Sequence, residues 1–202
     1  MEVVSLKNPV TERDHFTGSF EAPVTLLEYG NFECLHCGNA YPAIKELRKI
    51  LGDQLRFVFR HFPTSRTHPH SVRAAEAAEA ADAQEKFWDM HDQLFTHQTA
   101  LEDRNLFNYA RRLRLDRDRF AKDMSEHTFL KQIEDDYQRS LFDEHVTGTP
   151  TFYINDLRYT GATGVEDLLS AIKQADTEGL IQFPERTGRL RRVFGKLRHG
   201  DS

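Results

Sequence analysis

The chain has 202 residues, 39% of them apolar and 29% charged, with a formal net charge of −5. That length suits one globular domain, or a domain carrying an insertion, with a core that needs no disulfide staples. Low glycine and proline exclude collagen-like and disordered classes, the near-neutral charge argues against a dedicated nucleic-acid binder, and no apolar run is long enough for a membrane span.

The opening residues, Met1 to Lys7, lack a basic start followed by an apolar stretch. No secretory signal is read there, and a cytoplasmic location is expected. A short strand near Arg13–Thr17 is compatible with the pattern. Residues 24–29 form a brief apolar run between Pro23 and Gly30-Asn31, the signature of a buried strand. Ala40, Ile44, Leu47 and Leu51 then recur at three- and four-residue steps, which predicts a helix over 35–50 closed by Gly52-Asp53. Residues 55–59 read as a second strand. Strand, helix and strand in this order make a βαβ unit with a parallel strand pair.

A long helical stretch follows. Residues 69–83 hold seven alanines, a composition that favours helix. Further helices are predicted over 86–95, 104–115, 117–124 and 128–145. Strand character returns at 151–154, and Asn155-Asp156 makes a two-residue hairpin turn into 157–159. Val165, Leu168, Leu169 and Ile172 mark a last core helix. Residues 182–202 carry six Lys/Arg against two acids, and Leu190, Val193, Phe194 and Leu197 allow a basic amphipathic helix there.

Cys34 and Cys37 are the only cysteines, spaced C-x-x-C. Two cysteines cannot build a Cys₄ zinc site or a disulfide scaffold, which leaves a redox pair, half of a mixed metal site, or incidental thiols. The position just after a strand and at the start of a helix favours the redox reading. Helix N–H groups and the positive end of the helix dipole stabilise a thiolate there. Cys34 is expected to attack and Cys37 to resolve the mixed disulfide. His36 lies between them and can donate a hydrogen bond to the Cys34 sulfur, while a nearby Glu33 carboxylate disfavours the thiolate. Strand alternation puts Glu28 on one face with Val24 and Leu26. From there it is a candidate to accept the Cys37 proton.

The segment Asn31-Phe32-Glu33-Cys34-Leu35-His36-Cys37-Gly38, with Gly148-Thr149-Pro150-Thr151-Phe152, resembles the DsbA-like branch of thioredoxin-fold oxidoreductases. The lead-in Gly18 to Thr25 and the run Lys86 to Phe95 share the similarity, which covers most of residues 13–175. The resemblance implies an α/β thioredoxin fold with an inserted all-helical domain. The thioredoxin-like part would comprise 13–62 and 146–180, the insertion 63–145, and a basic tail 181–202. It also implies a cis bond at Pro150, and a substrate-binding role for Thr149 and Pro150 beside the two sulfurs. The expected activity is thiol–disulfide exchange on protein or small-molecule thiols, with no metal or organic cofactor. Leu35 departs from the pattern, since a proline often follows the first cysteine in such motifs.

Two rivals fit the same residues. A kappa-type glutathione transferase or isomerase has a similar insertion and needs no second cysteine. A non-enzymatic redox-sensing or binding module would act through the basic tail. Phe87, Trp88, Met90 and Phe95 are expected in the core rather than in a client groove. His61, His68 and His70 cluster in sequence, but their spacing matches no recognisable metal site.

Overall fold

The computed structural model describes residues 4–183. Strand β1 (His15–Thr17) is followed by β2 (Val24–Gly30), helix α1 (Leu35–Leu51) and β3 (Leu55–His61). Helices α2 (Ser71–Asp82), α3 (Phe87–Thr96), α4 (Asp103–Arg112), α5 (Arg117–Ser125) and α6 (Leu130–Phe142) come next. Strands β4 (Thr151–Ile154) and β5 (Leu157–Tyr159) and helix α7 (Val165–Ala175) complete the order.

The five strands form one mixed sheet in the order β1-β3-β2-β4-β5. β2 and β3 run parallel with Val24 opposite Leu55 and Gly30 opposite His61, as the crossover through α1 requires. β1 lies antiparallel to β3, β4 to β2, and β5 to β4. β2 is therefore central, and every one of its residues is buried. Asn155 and Asp156, with φ of 45° and 66°, make the tight turn between β4 and β5.

Alternation along β2 divides the interior. Val24 and Leu26 face a large core shared with Ala40, Ile44 and Leu47 of α1. Leu27 and Tyr29 face a smaller cluster with Val58, Phe62, Val146 and Tyr153, against which Tyr137 and Leu141 of α6 pack. The large core continues without a break into the intervening helices, through Ala74, Ala77 and Ala81 of α2, Met90 and Leu94 of α3, and Phe120 and Met124 of α5. The alanines let α2 approach its neighbours closely while adding helix propensity. Phe87, Met90 and Phe95 are buried, and Trp88 donates its ring N–H to the Phe16 carbonyl at 2.8 Å. No helix among the described residues is long and apolar enough to cross a membrane.

Several element ends differ from the sequence expectation. α4 stops at Arg112, where Arg114 turns left-handed at φ 60° and the Leu115 N–H returns to the Ala110 carbonyl at 3.0 Å. α6 spans only 130–142, bounded by His127 and His145, both at φ 52°. The Asp116 side chain caps α5 by accepting from the N–H groups of Asp118 and Arg119. The basic helix expected around Leu190–Leu197 lies outside the described residues.

Candidate active site

Cys34 stands at the N-terminal end of α1, directly after the turn that leaves β2. That turn is built by Asn31. Its side-chain oxygen accepts from the Glu33 N–H at 2.9 Å, and its carbonyl accepts from the Cys34 N–H at 3.0 Å. Its side-chain amide donates to Thr64 Oγ1 at 3.2 Å, tying the turn to the segment after β3. β4 pairs with β2 so that Thr151 opposes Tyr29, which carries the residues before β4 alongside the turn. Thr149 and Pro150 therefore sit against the cysteine pair. The Thr149–Pro150 bond is cis, and the Cys34 sulfur is 3.3 Å from the Thr149 carbonyl oxygen.

The two thiols occupy opposite electrostatic settings. Cys34 is held down to about 4, first by a hydrogen bond from the Cys37 thiol and then by the Thr149 side chain and the backbone N–H groups of Cys37 and His36, against a partial burial cost. Together they stabilise the thiolate. Cys37 is fully buried, and burial together with donation to Cys34 pushes it well above its ordinary value.

Glu28 is buried at 1% exposure on the face of β2 that looks toward α1. Burial pushes its carboxyl up to about 8, opposed by a hydrogen bond with the Cys37 thiol and reinforced by the nearby Cys34 charge. Its Oε1 has no hydrogen-bond partner among the described residues. The carboxyl is thus placed against the more basic sulfur, where the strand alternation points it.

Two neighbours differ from the sequence reading. The His36 side chain is exposed and makes no hydrogen bond to Cys34; the group that acts on the sulfur is the His36 backbone N–H. The reason is geometric, because the second residue of a helix turns its side chain outward while its N–H points back toward the cap. Glu33 turns away from the thiolate. Its carboxylate accepts from the His70 N–H at 2.7 Å and pairs with His70 Nδ1 at 2.8 Å. Leu35, where proline was a frequent expectation, is 68% exposed beside the sulfurs.

Gln98 has no local signature and is part of the site. From the connection after α3, its amide donates to the carbonyls of Phe32 at 2.8 Å and Cys34 at 2.9 Å, clamping the turn from the side. Gly38 makes room for it, since a Cβ there would stand 1.8 Å from Gln98 Oε1. A glycine directly after the second cysteine was the available clue. His61, His68 and His70 do not converge: His68 meets Thr64 and Thr67, His70 meets Glu33, and His61 meets Glu79.

A family profile described as thioredoxin matches residues 10–174. The chain belongs to the thioredoxin family. This thioredoxin-family chain is similar in structure to oxidised BdbD of Bacillus subtilis, with a TM-score of 0.75 and 23% identity over 87% of this chain and 99% of that one. Alpha-DsbA1 of Wolbachia pipientis gives 0.73 and 19%, covering 85% and 94%. At such identities the likeness establishes the fold. Among curated proteins, the chain is 43% identical over 174 residues to a Na(+)/H(+) antiporter NhaA 1 of Salinispora arenicola, covering 86% of this chain and 26% of that protein. A Na(+)/H(+) antiporter NhaA of Herminiimonas arsenicoxydans is 38% identical over 86% of this chain and 27% of its own length. The chain spans about a quarter of the length of these relatives.

Proposed function

We propose that the chain is a thiol–disulfide oxidoreductase working by dithiol exchange through Cys34 and Cys37. The observation that carries this is the division of the pair: a thiolate at the helix start, and a buried thiol against a raised carboxyl. The Cys34 thiolate attacks a client disulfide, forming a mixed disulfide and releasing one client thiolate, which takes a proton from water. Cys37 gives its proton to Glu28 and attacks the Cys34 sulfur. The second client thiolate leaves, and the two cysteines end as a disulfide. Run backward, a client dithiol is oxidised, and Glu28 returns the proton to the departing Cys37. Thr149 and Pro150 would hold an extended client strand beside the sulfurs, and the His36 N–H would steady the thiolate.

Stabilising the Cys34 thiolate stabilises the reduced pair, which makes its disulfide the stronger oxidant. The expected reduction potential is nearer the about −120 mV of strong oxidants than the about −270 mV of thioredoxin-like reductants. Equilibration in glutathione buffers with thiol trapping measures it, and a pair that forms no disulfide would sink the dithiol mechanism in favour of a glutathione-using transferase. Cys37→Ala separates those two, since the transferase rival predicts little loss. Placement in the cytoplasm is part of the proposal; there, a poise of about −220 to −320 mV keeps such a pair reduced at rest.

The curated relatives favour one second reading, in which the same pair reports oxidation to a membrane Na(+)/H(+) exchanger. Exchange measured in vesicles, with the reduced chain, the oxidised chain and Cys34→Ser added in turn, tests it. Equal exchange in all three removes the second reading and leaves the first untouched.

A further inference from the structure

Outside the cysteine pair, His15 of β1, His61 of β3 and Glu79 of α2 bring three donor atoms together. His15 Nε2 is 2.7 Å and His61 Nε2 is 2.9 Å from the same oxygen, Glu79 Oε1. All three donor atoms lie within 4.8 Å of one another. The side chains of His61 and Glu79 are about as buried as any polar pair can be, at 3% and 4% exposure, and that of His15 is 16% exposed. Three separate elements thus aim two imidazole nitrogens and a carboxylate at one point.

The surroundings fix that aim. The Phe87 ring stacks on His15 at 3.6 Å, and Phe32 and Phe59 meet His61 edge-on at 5.7 and 5.5 Å. Asp82 Oδ1 stands 3.5 Å from His15 Nδ1, on the side away from Glu79, where a carboxylate orients a metal-bound imidazole. Gln132 Nε2 reaches toward Glu79 Oε2 at 3.5 Å. A cavity of about 270 Å³ opens beside His15, lined also by Asp82, Glu85, Phe87 and Asp89, with Lys86 paired to Asp89 at 3.0 Å. Carboxylates are prominent in its lining, and of the three donor residues His15 borders it.

We propose that His15, His61 and Glu79 form a divalent transition-metal site, with zinc the best fit. Two imidazoles and one carboxylate are a recognised zinc donor set, and they leave a fourth position for water. Bond lengths of about 2.0–2.2 Å set neighbouring ligands about 3.3–3.6 Å apart around a tetrahedral ion, so Glu79 Oε1 need only draw back slightly from the two nitrogens. On metal binding His15 releases its Nε2 proton to solvent and keeps its Nδ1–H on Asp82, while the His61 proton moves from Nε2 to Nδ1, so both rings ligate as neutral imidazoles. The ion would fasten the neighbouring strands β1 and β3 to α2. The same three groups without metal are a hydrogen-bonded triad, and the two cases are separable by measurement.

The experiment uses the full chain with Cys34→Ser and Cys37→Ser, so that no thiolate competes for metal. Zinc is titrated against a chromophoric chelator, and cobalt(II) is followed by its visible absorption. The expected result is one equivalent bound with Kd below about 1 μM, a rise in Tm on adding zinc, and a tetrahedral cobalt spectrum. Glu79→Gln should weaken binding at least about 100-fold. Asp82→Asn should weaken it about 10- to 100-fold, because it loosens His15 without removing a ligand. Asp82 is half exposed, so that variant keeps the test decisive if Glu79→Gln does not fold. Binding weaker than about 1 mM, or binding unchanged in both variants, overturns the proposal and leaves the triad.

Discussion

The turn that carries Cys34 is held from two sides, and the two sides do different work. From the sheet come Glu28 and the Thr149–Pro150 segment, and their contacts fall on the sulfurs. From the helical insertion and its connections come Gln98, Thr64 and His70, and their contacts fall on the carbonyls and side chains of residues 31–34. The sheet side adds to what the helix start does to the thiols, and the insertion side sets the shape that presents them. Loss on the first side should show in rates and titrations, and loss on the second in stability.

The largest expected break is Cys34→Ala, which removes the attacking sulfur and should abolish disulfide exchange on a model protein. Cys37→Ala comes next: it should leave the first attack intact, accumulate a mixed disulfide visible by mass spectrometry, and stop turnover. Glu28→Gln should slow resolution about 100-fold, in the range of general acid–base effects. Wild-type resolution should rise with pH through an inflection near 8 and level off above it as the carboxyl becomes fully ionised, and the variant should lose that inflection.

Titration of the reduced pair sharpens the same side. Thiolate absorbance should show Cys34 ionising near 4. Its folded value is depressed relative to the unfolded chain, so the unfolded state binds more protons between about 4 and 9. Cys34 therefore makes the reduced protein more stable as pH rises through that window, and acid removes the gain. Glu28, raised in the fold, acts in the opposite sense between about 4.5 and 8, where its contribution falls as pH rises. Denaturation midpoints of wild type and Cys34→Ser across pH 4–9 measure the first contribution.

The smallest effects are expected on the insertion side. Gln98→Ala removes two hydrogen bonds from the turn and should cost about 1–3 kcal/mol of stability, read by thermal or urea unfolding. Gly38→Ala should cost a similar amount by displacing the same amide. The double variant should then lose little more than either single change, because both remove one clamp. Additive losses would refute that shared cause. Glu33→Gln should shift stability by less than about 1 kcal/mol, since the His70 ring is partly exposed.

What the sequence made legible follows the range of each signal. β2, α1 and the hairpin after β4 are written in local periodicity and turn residues, and they appear where expected. Glu28 was legible because alternation along one strand decides which face it takes. The helix ends at Arg112 and Phe142 were not, because they close on non-glycine residues in left-handed conformations that carry no compositional mark. Gln98 and His70 act on the turn across 64 and 37 positions of sequence, and His61 finds Glu79 across 18. Contacts of that range are decided by packing, which no spacing pattern records.

The buried core that runs unbroken from the sheet into α2, α3 and α5 has a mechanical consequence. A molecule whose two halves share one interior cannot open and close around a guest as a jaw does. Under the proposed exchange the client would do the adapting, arriving as a loose stretch of chain that can lie down beside Thr149. For the exchange proposed above, that favours partners not yet folded, or able to fray, over those already tightly made.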